Sequence, residues 1–174
     1  MDFERLIQER QACRSYLAKE VEREKLEKIV ECARLAPSAC NSQPWKMYVV
    51  TGERRSLVAK SVQDLFMNKF ASEAPAFIVL AEQNAQLKKG AERKFSSDYF
   101  VKYDIGQLAA YVTLTAKNLG LDSCIIGWVN QKLLKEAIGY SEDESCSLVI
   151  SVGYSDNPLR EKSRKKAEDV AVFL

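Results

Sequence analysis

The sequence predicts a layered α/β domain in which helices cover a central sheet. The chain has 174 residues, about one domain's worth, and it carries no internal repeat, low-complexity tract or glycine-rich linker. Amphipathic helical patterns outnumber short apolar strand patterns, and the two kinds of segment alternate along the chain. We therefore expect a single domain over residues 1–174, while the order of the strands in the sheet stays open.

The first half of the chain is predicted to contain helices and two strands. The clearest helix covers residues 21–36, where Leu26, Ile29 and Ala33 recur at helical spacing. β-Branched and aromatic residues before Gly52 predict a strand, and a continuous apolar run predicts a second, buried strand. The expected elements are a short helix over 2–10, the helix over 21–36, a strand over 47–51, one or two helices over 53–70 and the buried strand over 76–81.

The second half is organised around one long helix. Residues 83–97 are polar and predict a loop, and the helix follows over 99–119 with Gly120 as its C-cap. Asp104 is expected to cap this helix or one of its turns. Small residues on the helix would let another backbone approach closely: Gly106, Ala109, Ala110 and Thr113. Shorter elements follow, with a strand over 123–126, a helix over 131–138, a strand over 147–152 and a basic tail from residue 158.

The composition excludes several classes of function. The chain has 26 Lys plus Arg, 24 Asp plus Glu and a net charge of +2, without the basic excess expected of a nucleic-acid binder. It contains no histidine, which excludes a Ser-His-Asp triad, a Cys-His nucleophile pair and a zinc-protease helix. None of the five cysteines forms a C-x-x-C pair, so we expect no metal site. An enzyme of this composition would place its chemistry on a bound group, with no catalytic side chain of its own.

The sequence also carries expectations about cellular location. The first residues are charged and lack the apolar segment of a secretory signal. The longest apolar run, over residues 74–81, falls far short of the roughly 20 residues that span a bilayer. We therefore expect a cytoplasmic protein without membrane contact, whose cysteines are reduced and mostly buried.

Basic residues cluster near both ends of the chain. Arg10 and Arg14 lie four residues apart near the start, and a longer cluster closes the chain: Arg160, Lys162, Arg164, Lys165 and Lys166. Each cluster taken alone is typical of solvated surface charge. The alternative is that the two ends converge on one phosphate monoester, which arginine side chains from separate segments hold well.

The most unusual segment joins the helix over 21–36 to the first strand. Residues 36–45 read APSACNSQPW, with Pro37 and Pro44 stiffening its two ends. The polar residues between them, Ser38, Asn41 and Gln43, both donate and accept hydrogen bonds. Such residues are routine in loops. A rigid loop of this kind also suits recognition of a planar heterocycle with carbonyl and N–H edges.

These motifs, taken in order, resemble the nitroreductase family of FMN-dependent oxidoreductases. The segments that carry the resemblance are RQACRSY (10–16), APSACNSQPW (36–45), AP (74–75), DIG (104–106), LGLDSCIIG (119–127) and ISVGY (150–154), followed by the basic tail. The A-P-S-x-x-N-x-Q-P-W element is fairly specific, and the others are persuasive by their order. The resemblance spans nearly the whole chain and is that of a compact member.

The resemblance implies a fold, an activity and an assembly. The implied fold is α+β, with three α-β-α layers and a central mixed or antiparallel sheet flanked by helices. The implied assembly is a homodimer with exchanged terminal segments that binds FMN at its interface. The implied activity is NAD(P)H-dependent reduction of a small-molecule acceptor, such as a nitroaromatic compound or a quinone, by a ping-pong cycle. Two alternatives remain: other flavin chemistry on the same fold, such as dehalogenation or flavin fragmentation, and a flavin-binding dimer with little turnover.

The resemblance also implies which residues bind the FMN phosphate. Arg10 and Arg14 would hold it, together with Arg164 and Lys162 from the tail. The neighbouring Gln11 and Ala12 fall in the same segment. Family members often carry serine where this chain has Ala12, so one phosphate contact is lost or moves to Ser15 or a backbone N–H.

Further residues are implied at the flavin ring. The loop would reach the flavin of the partner subunit through Pro37, Ser38, Ala39, Asn41 and Gln43. Asn68 and Lys69 lie roughly where the family has polar groups near the pyrimidine edge. The segment Ile125, Ile126 and Gly127 would present backbone N–H to flavin N5. Tyr99, Phe100 and Tyr103 are candidates to line the substrate pocket, although aromatic residues of this kind more often belong to the core.

Overall fold

A computed structural model describes residues 2–63 and 66–174 of the chain. Five helices are described: α1 (Phe3–Glu9), α2 (Arg23–Ala33), α3 (Arg54–Val62), α4 (Val101–Asn118) and α5 (Gln131–Ile138). Four strands accompany them: β1 (Trp45–Val50), β2 (Ala76–Glu82), β3 (Asp122–Ile126) and β4 (Ser145–Gly153). No helix of this described part is long and apolar enough to cross a membrane.

The four strands form one sheet in the order β1-β2-β4-β3, and every neighbouring pair is antiparallel. The class is therefore α+β, as the resemblance implies, and the strand order that the sequence left open is antiparallel throughout. Alternation along the chain does not determine strand direction, because a helix can return the chain to either end of a sheet. The antiparallel order places β1 and β3 at the two edges.

The sheet separates two apolar layers, which together make the three-layer arrangement. Side chains of β2 alternate between them, with Ile78 and Leu80 in one layer and Phe77 and Val79 in the other. The first layer packs against α2 and α4, and the second packs against α3 and α5. All of β2 up to Ala81 is buried, as its continuous apolar run predicts.

Most predicted elements are confirmed, with differences at their ends. The predicted helical stretch over 53–70 ends as an α-helix at Val62, and a short 3-10 turn, Lys69–Glu73, follows after Asn68. Asn68 has a φ of 52°, a left-handed conformation that interrupts a helix. Positions 64 and 65 of that stretch lie outside the described residues, as does residue 1.

One prediction about α4 is wrong in detail. Asp104 does not cap the helix, because its carboxylate accepts a hydrogen bond from the distant backbone N–H of Ala39. Among the four small residues, Gly106 and Ala110 are exposed, and Ala109 and Thr113 are buried. The close approach of another backbone to these four residues stays a prediction.

A buried carboxylate joins the α5–β4 connection to the sheet. Glu144 accepts hydrogen bonds from Tyr48 Oη at 2.6 Å, the backbone N–H of Ser141 at 3.0 Å and Gln83 Nε2 at 3.1 Å. Burial alone would raise the pKa of Glu144, but these hydrogen bonds and the Lys46 ammonium hold it below its usual value. The charged form of Glu144 therefore stabilises the folded chain.

We expect Glu144→Gln to lower the free energy of unfolding at pH 7 by about 1–2 kcal/mol, because hydrogen bonds to a charged group are lost. Because the pKa of Glu144 is lower in the folded than in the unfolded chain, its charge stabilises the fold at any pH above the unfolded pKa of about 4.3. This stabilisation is lost as the pH falls through the folded-state pKa. The difference between wild type and variant should therefore shrink in acid. Urea unfolding at pH 7 and at acid pH measures it. Glu142→Gln is the control, since that side chain is 91% exposed; an equal loss in both variants would contradict the prediction.

Candidate functional site

The start of the chain lies against the edge strand β3. Ala12 forms a parallel bridge with Ser123, and Cys13 N–H donates to Ser123 O at 2.9 Å. Beyond Ser123, no other described residue forms a bridge with the outer edge of β3. The segment predicted to face flavin N5 follows there: Ile125 and Gly127 are exposed, and Ile126 is buried.

The basic tail folds back onto the same N-terminal segment. Gln11 joins the two, donating from Nε2 to Pro158 O at 3.0 Å and accepting from Arg160 N–H at 3.0 Å. Arg160 Nη2 donates to Ala12 O at 2.6 Å. Since both ends of its side-chain amide bind the tail, Gln11 holds the tail in place, and its role as a cofactor-binding residue stays a prediction.

The tail also brings Lys162 to the N-terminal segment. Lys162 Nζ donates to Arg10 O. Burial lowers the pKa of Lys162, and the positive charges of Arg10, Arg164 and Arg160 lower it further. The predicted convergence of the two basic ends is therefore present in the structure.

Arg14 belongs to the same positive region. Burial raises the pKa of the Cys124 thiol on β3, while the charges of Arg14, Arg10 and Arg160 oppose that rise. We define the basic cluster as the five cations of the N-terminal segment and of the tail that contacts it: Arg10, Arg14, Arg160, Lys162 and Arg164. Arg160 is absent from the sequence-based site residues. Its position in the basic tail could have marked Arg160 as a site residue, but the neighbouring cations of the tail have the same kind of position.

No ion pair joins any member of the basic cluster to an acidic residue among residues 2–63 and 66–174. Mutual repulsion of cations is unfavourable without an anion between them. Arginine forks together with an ammonium group are the donor set that a phosphate monoester accepts. The residues present thus fit the phosphate of FMN.

The loop of residues 36–43 has an unusual backbone. Cys40, Asn41 and Gln43 have φ values of 55°, 54° and 47°, in the left-handed region that non-glycine residues rarely occupy. Ser42 Oγ is buried and makes no hydrogen bond within the described part of the chain. An unpaired buried hydroxyl costs about 1–3 kcal/mol, and strained φ values add to this cost.

Some polar groups of the loop are already engaged. Ala39 N–H donates to both carboxylate oxygens of Asp104 at 3.2 Å, and Ser38 Oγ accepts from Gln43 N–H at 2.9 Å. Gln43 Nε2 donates to Asn41 O at 3.2 Å. In contrast, the exposed side-chain amide of Asn41 has no hydrogen bond to any described residue. Asn41 is therefore the loop residue most available to a ligand, and the backbone N–H of Ala39 is not available.

The loop and the basic cluster lie at opposite ends of α4. Asp104, which holds the loop, is in the first turn of α4, whereas Ser123, which bridges Ala12 beside the basic cluster, follows shortly after the last residue of α4, Asn118. Fourteen residues of helix separate Asp104 from Asn118, which corresponds to about 20 Å along the axis. One chain therefore does not bring its own loop to its own basic cluster.

Asn68 and Lys69 lie just after the end of α3. Asn68 Nδ2 donates to Val62 O at 2.9 Å and so closes the C-terminus of α3. The backbone carbonyl of Lys69 accepts from Gln63, while its side chain is exposed. No contact of the described residues joins this pair to the basic cluster, so their place at a flavin stays a prediction.

The three aromatic residues proposed for the substrate pocket form a surface cluster. The rings of Tyr99 and Phe100 pack in a tilted arrangement against that of Phe95, at centroid distances of 4.8 Å and 5.0 Å, and the ring of Tyr103 lies 6.3 Å from that of Tyr99. Tyr99 and Tyr103 are exposed, and Phe100 is partly buried against the core. Two of the three are thus surface residues and not core residues, as a role in lining a pocket requires.

A groove of about 1450 Å³ lies elsewhere. It is bounded by the segment around residues 16–31, by Val49 and Thr51 at the open edge of β1, and by Arg55. None of the residues predicted to bind flavin lines it. The groove borders an unpaired strand edge, which is a surface that accepts another chain segment.

Comparisons with known proteins agree with this fold. The model of the Nitroreductase family matches residues 7–69 and 54–154. A provisionally named NADH dehydrogenase/NAD(P)H nitroreductase of Archaeoglobus fulgidus is 30% identical over 169 residues, covering 95% of this chain and 90% of the relative. A nitrobenzene nitroreductase of Ectopseudomonas oleovorans is 23% identical, with 97% and 95% covered.

Solved structures show the same fold. A nitroreductase family protein of Streptococcus pneumoniae superposes with a TM-score of 0.87 at 24% identity, covering 99% of this chain and all of the other. A provisionally named nitroreductase of Exiguobacterium sibiricum, solved in complex with FMN, has a TM-score of 0.86 at 20% identity, covering 100% and 98%. The fold is that of the nitroreductase type. The chain belongs to the nitroreductase family.

Proposed function

We propose that the protein is an FMN-dependent oxidoreductase that uses NAD(P)H to reduce nitroaromatic compounds, quinones or related small acceptors. The observation that carries this proposal is the basic cluster, five cations without an acidic partner in the described residues of a nitroreductase-family chain. A phosphate dianion would neutralise them by charge-assisted hydrogen bonds.

The active unit in this proposal is a homodimer. Each flavin would lie on the basic cluster of one protomer and under the loop of its partner, since about 20 Å of α4 separates the two within one chain. Exchange of terminal segments is supported by the exposed apolar residues at the end of the tail, Val170, Val172, Phe173 and Leu174. The groove at the open edge of β1 offers a surface for such a segment.

In this proposal the protein binds and orients while the cofactor carries the redox chemistry. FMN, when bound, supplies two-electron transfer between NAD(P)H and the acceptor. The basic cluster would hold its phosphate, and the backbone along residues 125–127 would donate hydrogen bonds at its N5 edge. Asn41 of the partner's loop and Lys69 would stabilise negative charge at the pyrimidine edge. Donor and acceptor would use one open pocket in turn, beside Tyr99, Phe100 and Tyr103.

We expect the purified protein to be yellow and to release FMN on heating. Anaerobic addition of NADH or NADPH should bleach the bound flavin, because the pocket admits a nicotinamide beside it, and a nitroaromatic compound or quinone should restore the colour. Stopped-flow absorbance measures both half-reactions, and light scattering should show a dimer.

The outcomes separate the alternatives. A colourless protein that takes up no added FMN would refute the proposal at its base. A flavin that neither nicotinamide bleaches would favour a flavin-binding dimer with little turnover, and bleaching without reoxidation by any nitro compound or quinone would favour other flavin chemistry. A monomer that binds FMN tightly would contradict the shared site.

A further inference from the structure

The loop of residues 38–43 needs an anchor outside itself. Three of its residues have positive φ values, and Ser42 Oγ has no hydrogen-bond partner in the described part of the chain. A segment with such strain keeps one conformation only when its surroundings over-determine it. The hydrogen bonds of Ser38 with Gln43 and Asn41 are internal to the loop and move with it.

Asp104 is the anchor that the structure shows. Its carboxylate accepts Ala39 N–H at 3.2 Å from each oxygen, across 65 positions of sequence. Within residues 2–63 and 66–174, these are the only hydrogen bonds that join loop residues 38–43 to a part of the chain beyond the adjoining helix and strand.

Asp104 is a buried carboxylate that receives hydrogen bonds from a single N–H group. The side chain is 2% exposed, and Ala39 N–H supplies its hydrogen bonds. Burial raises its pKa, which the Ala39 N–H opposes. Its place in the first turn of α4 offsets part of the cost of the charge, because a helix N-terminus favours an anion.

We propose that Asp104 is a positioning residue for flavin binding: it holds Ala39, and through it the strained loop, so that Asn41 is presented to the flavin of the partner protomer. This inference rests on the proposed function. Asp104 touches no cofactor in this arrangement and acts through the backbone of Ala39. The loop then keeps its shape before FMN binds, so that FMN does not have to order it.

The test removes each partner of the hydrogen bond in the dimeric protein and measures FMN affinity. Asp104→Ala removes the acceptor. Ala39→Pro removes the donor, since proline has no backbone N–H, and Ser38 already has the extended conformation that is favoured before proline, with φ −146° and ψ 155°. We expect each single variant to bind FMN about tenfold more weakly than wild type. The double variant should be at most about twofold weaker than either single variant, because both substitutions remove the same interaction.

A conservative variant and a matched control separate positioning from general destabilisation. Asp104→Asn keeps an oxygen acceptor and should bind FMN within about threefold of wild type. Thr113→Ala is the control, because Thr113 is buried on the same helix and its hydroxyl bonds only to its own helix. It should leave FMN affinity, the visible spectrum of bound FMN and the amide exchange of Ala39 unchanged, whereas Asp104→Ala should change all three.

The inference and the proposed function fail in different ways. If the wild type takes up no FMN, the proposed function fails and this inference fails with it. If the wild type binds FMN and Asp104→Ala binds it with unchanged affinity and spectrum, only the inference is overturned. Multiplicative losses in the double variant would also overturn it. Should Asp104→Ala not fold, Ala39→Pro decides: unchanged FMN affinity and spectrum refute the inference, and weaker binding with Asp104→Asn near wild type supports it.

Discussion

Replacing either Arg14 or Arg164 by alanine is expected to weaken FMN binding by about ten- to a hundredfold, because each change removes a charge-assisted phosphate contact of about 1.5–3 kcal/mol. Both guanidinium groups belong to the basic cluster, which has no acidic partner among the described residues. Fluorescence titration of the apoprotein with FMN measures the dissociation constant. Riboflavin, which lacks the phosphate, should bind weakly to the wild type and to both variants alike.

Arg34→Ala is the matched control for these variants. Arg34 is an exposed arginine on the end of α2 that pairs with Glu31 at 2.8 Å. Its loss should leave the FMN dissociation constant unchanged. Unchanged affinity in both the Arg14 and the Arg164 variants would refute the assignment of the phosphate to the basic cluster, and an equal loss in the Arg34 variant would point to a general effect of charge.

Phe77→Ala is expected to lower the free energy of unfolding by about 3–5 kcal/mol, because it leaves a large cavity in the core. Phe77 is the second residue of β2, one of the two inner strands of the sheet; it is fully buried and packs in the layer under α3 and α5. A loss of this size is a large share of the roughly 5–15 kcal/mol that stabilises a domain. Urea unfolding of the FMN-free protein gives the value directly.

Phe3→Ala tests whether the loss depends on burial. Phe3 is 67% exposed on α1, so its truncation should change the free energy of unfolding by less than about 0.5 kcal/mol. A loss below about 1 kcal/mol for Phe77→Ala would mean that the core layer collapses around the cavity, contrary to the close packing of the central strand.

Local patterns predicted much of the fold, and the exceptions have physical causes. The spacing of Leu26, Ile29 and Ala33 predicts α2 because helical periodicity is a property of neighbouring residues. Local patterns do not predict that α3 ends at Val62, because the left-handed conformation of Asn68 and its hydrogen bond to Val62 O depend on tertiary packing. Asp104 illustrates the same limit: its position suggests a helix cap, but its partner lies 65 residues away.

The candidate site divides in the same way. The two basic ends and the proline-bounded polar loop are visible in the sequence, since each is a local concentration of one chemistry. Their arrangement is not, because it depends on contacts between distant residues. Gln11, a residue with no charge, holds the tail to the N-terminal segment across 147 positions, and Arg160 reaches Ala12 across 148.

The sequence by itself determined the length of one domain, the helices and strands that periodicity marks, the absence of histidine and the residues that resemble the nitroreductase family. Only the tertiary structure decided the antiparallel order β1-β2-β4-β3, the meeting of the two basic ends and the separation of the loop from the basic cluster along α4. The physical reason is that propensity and hydrophobic periodicity act between near neighbours. Strand order and charge convergence depend on which distant surfaces pack together, which no single segment encodes.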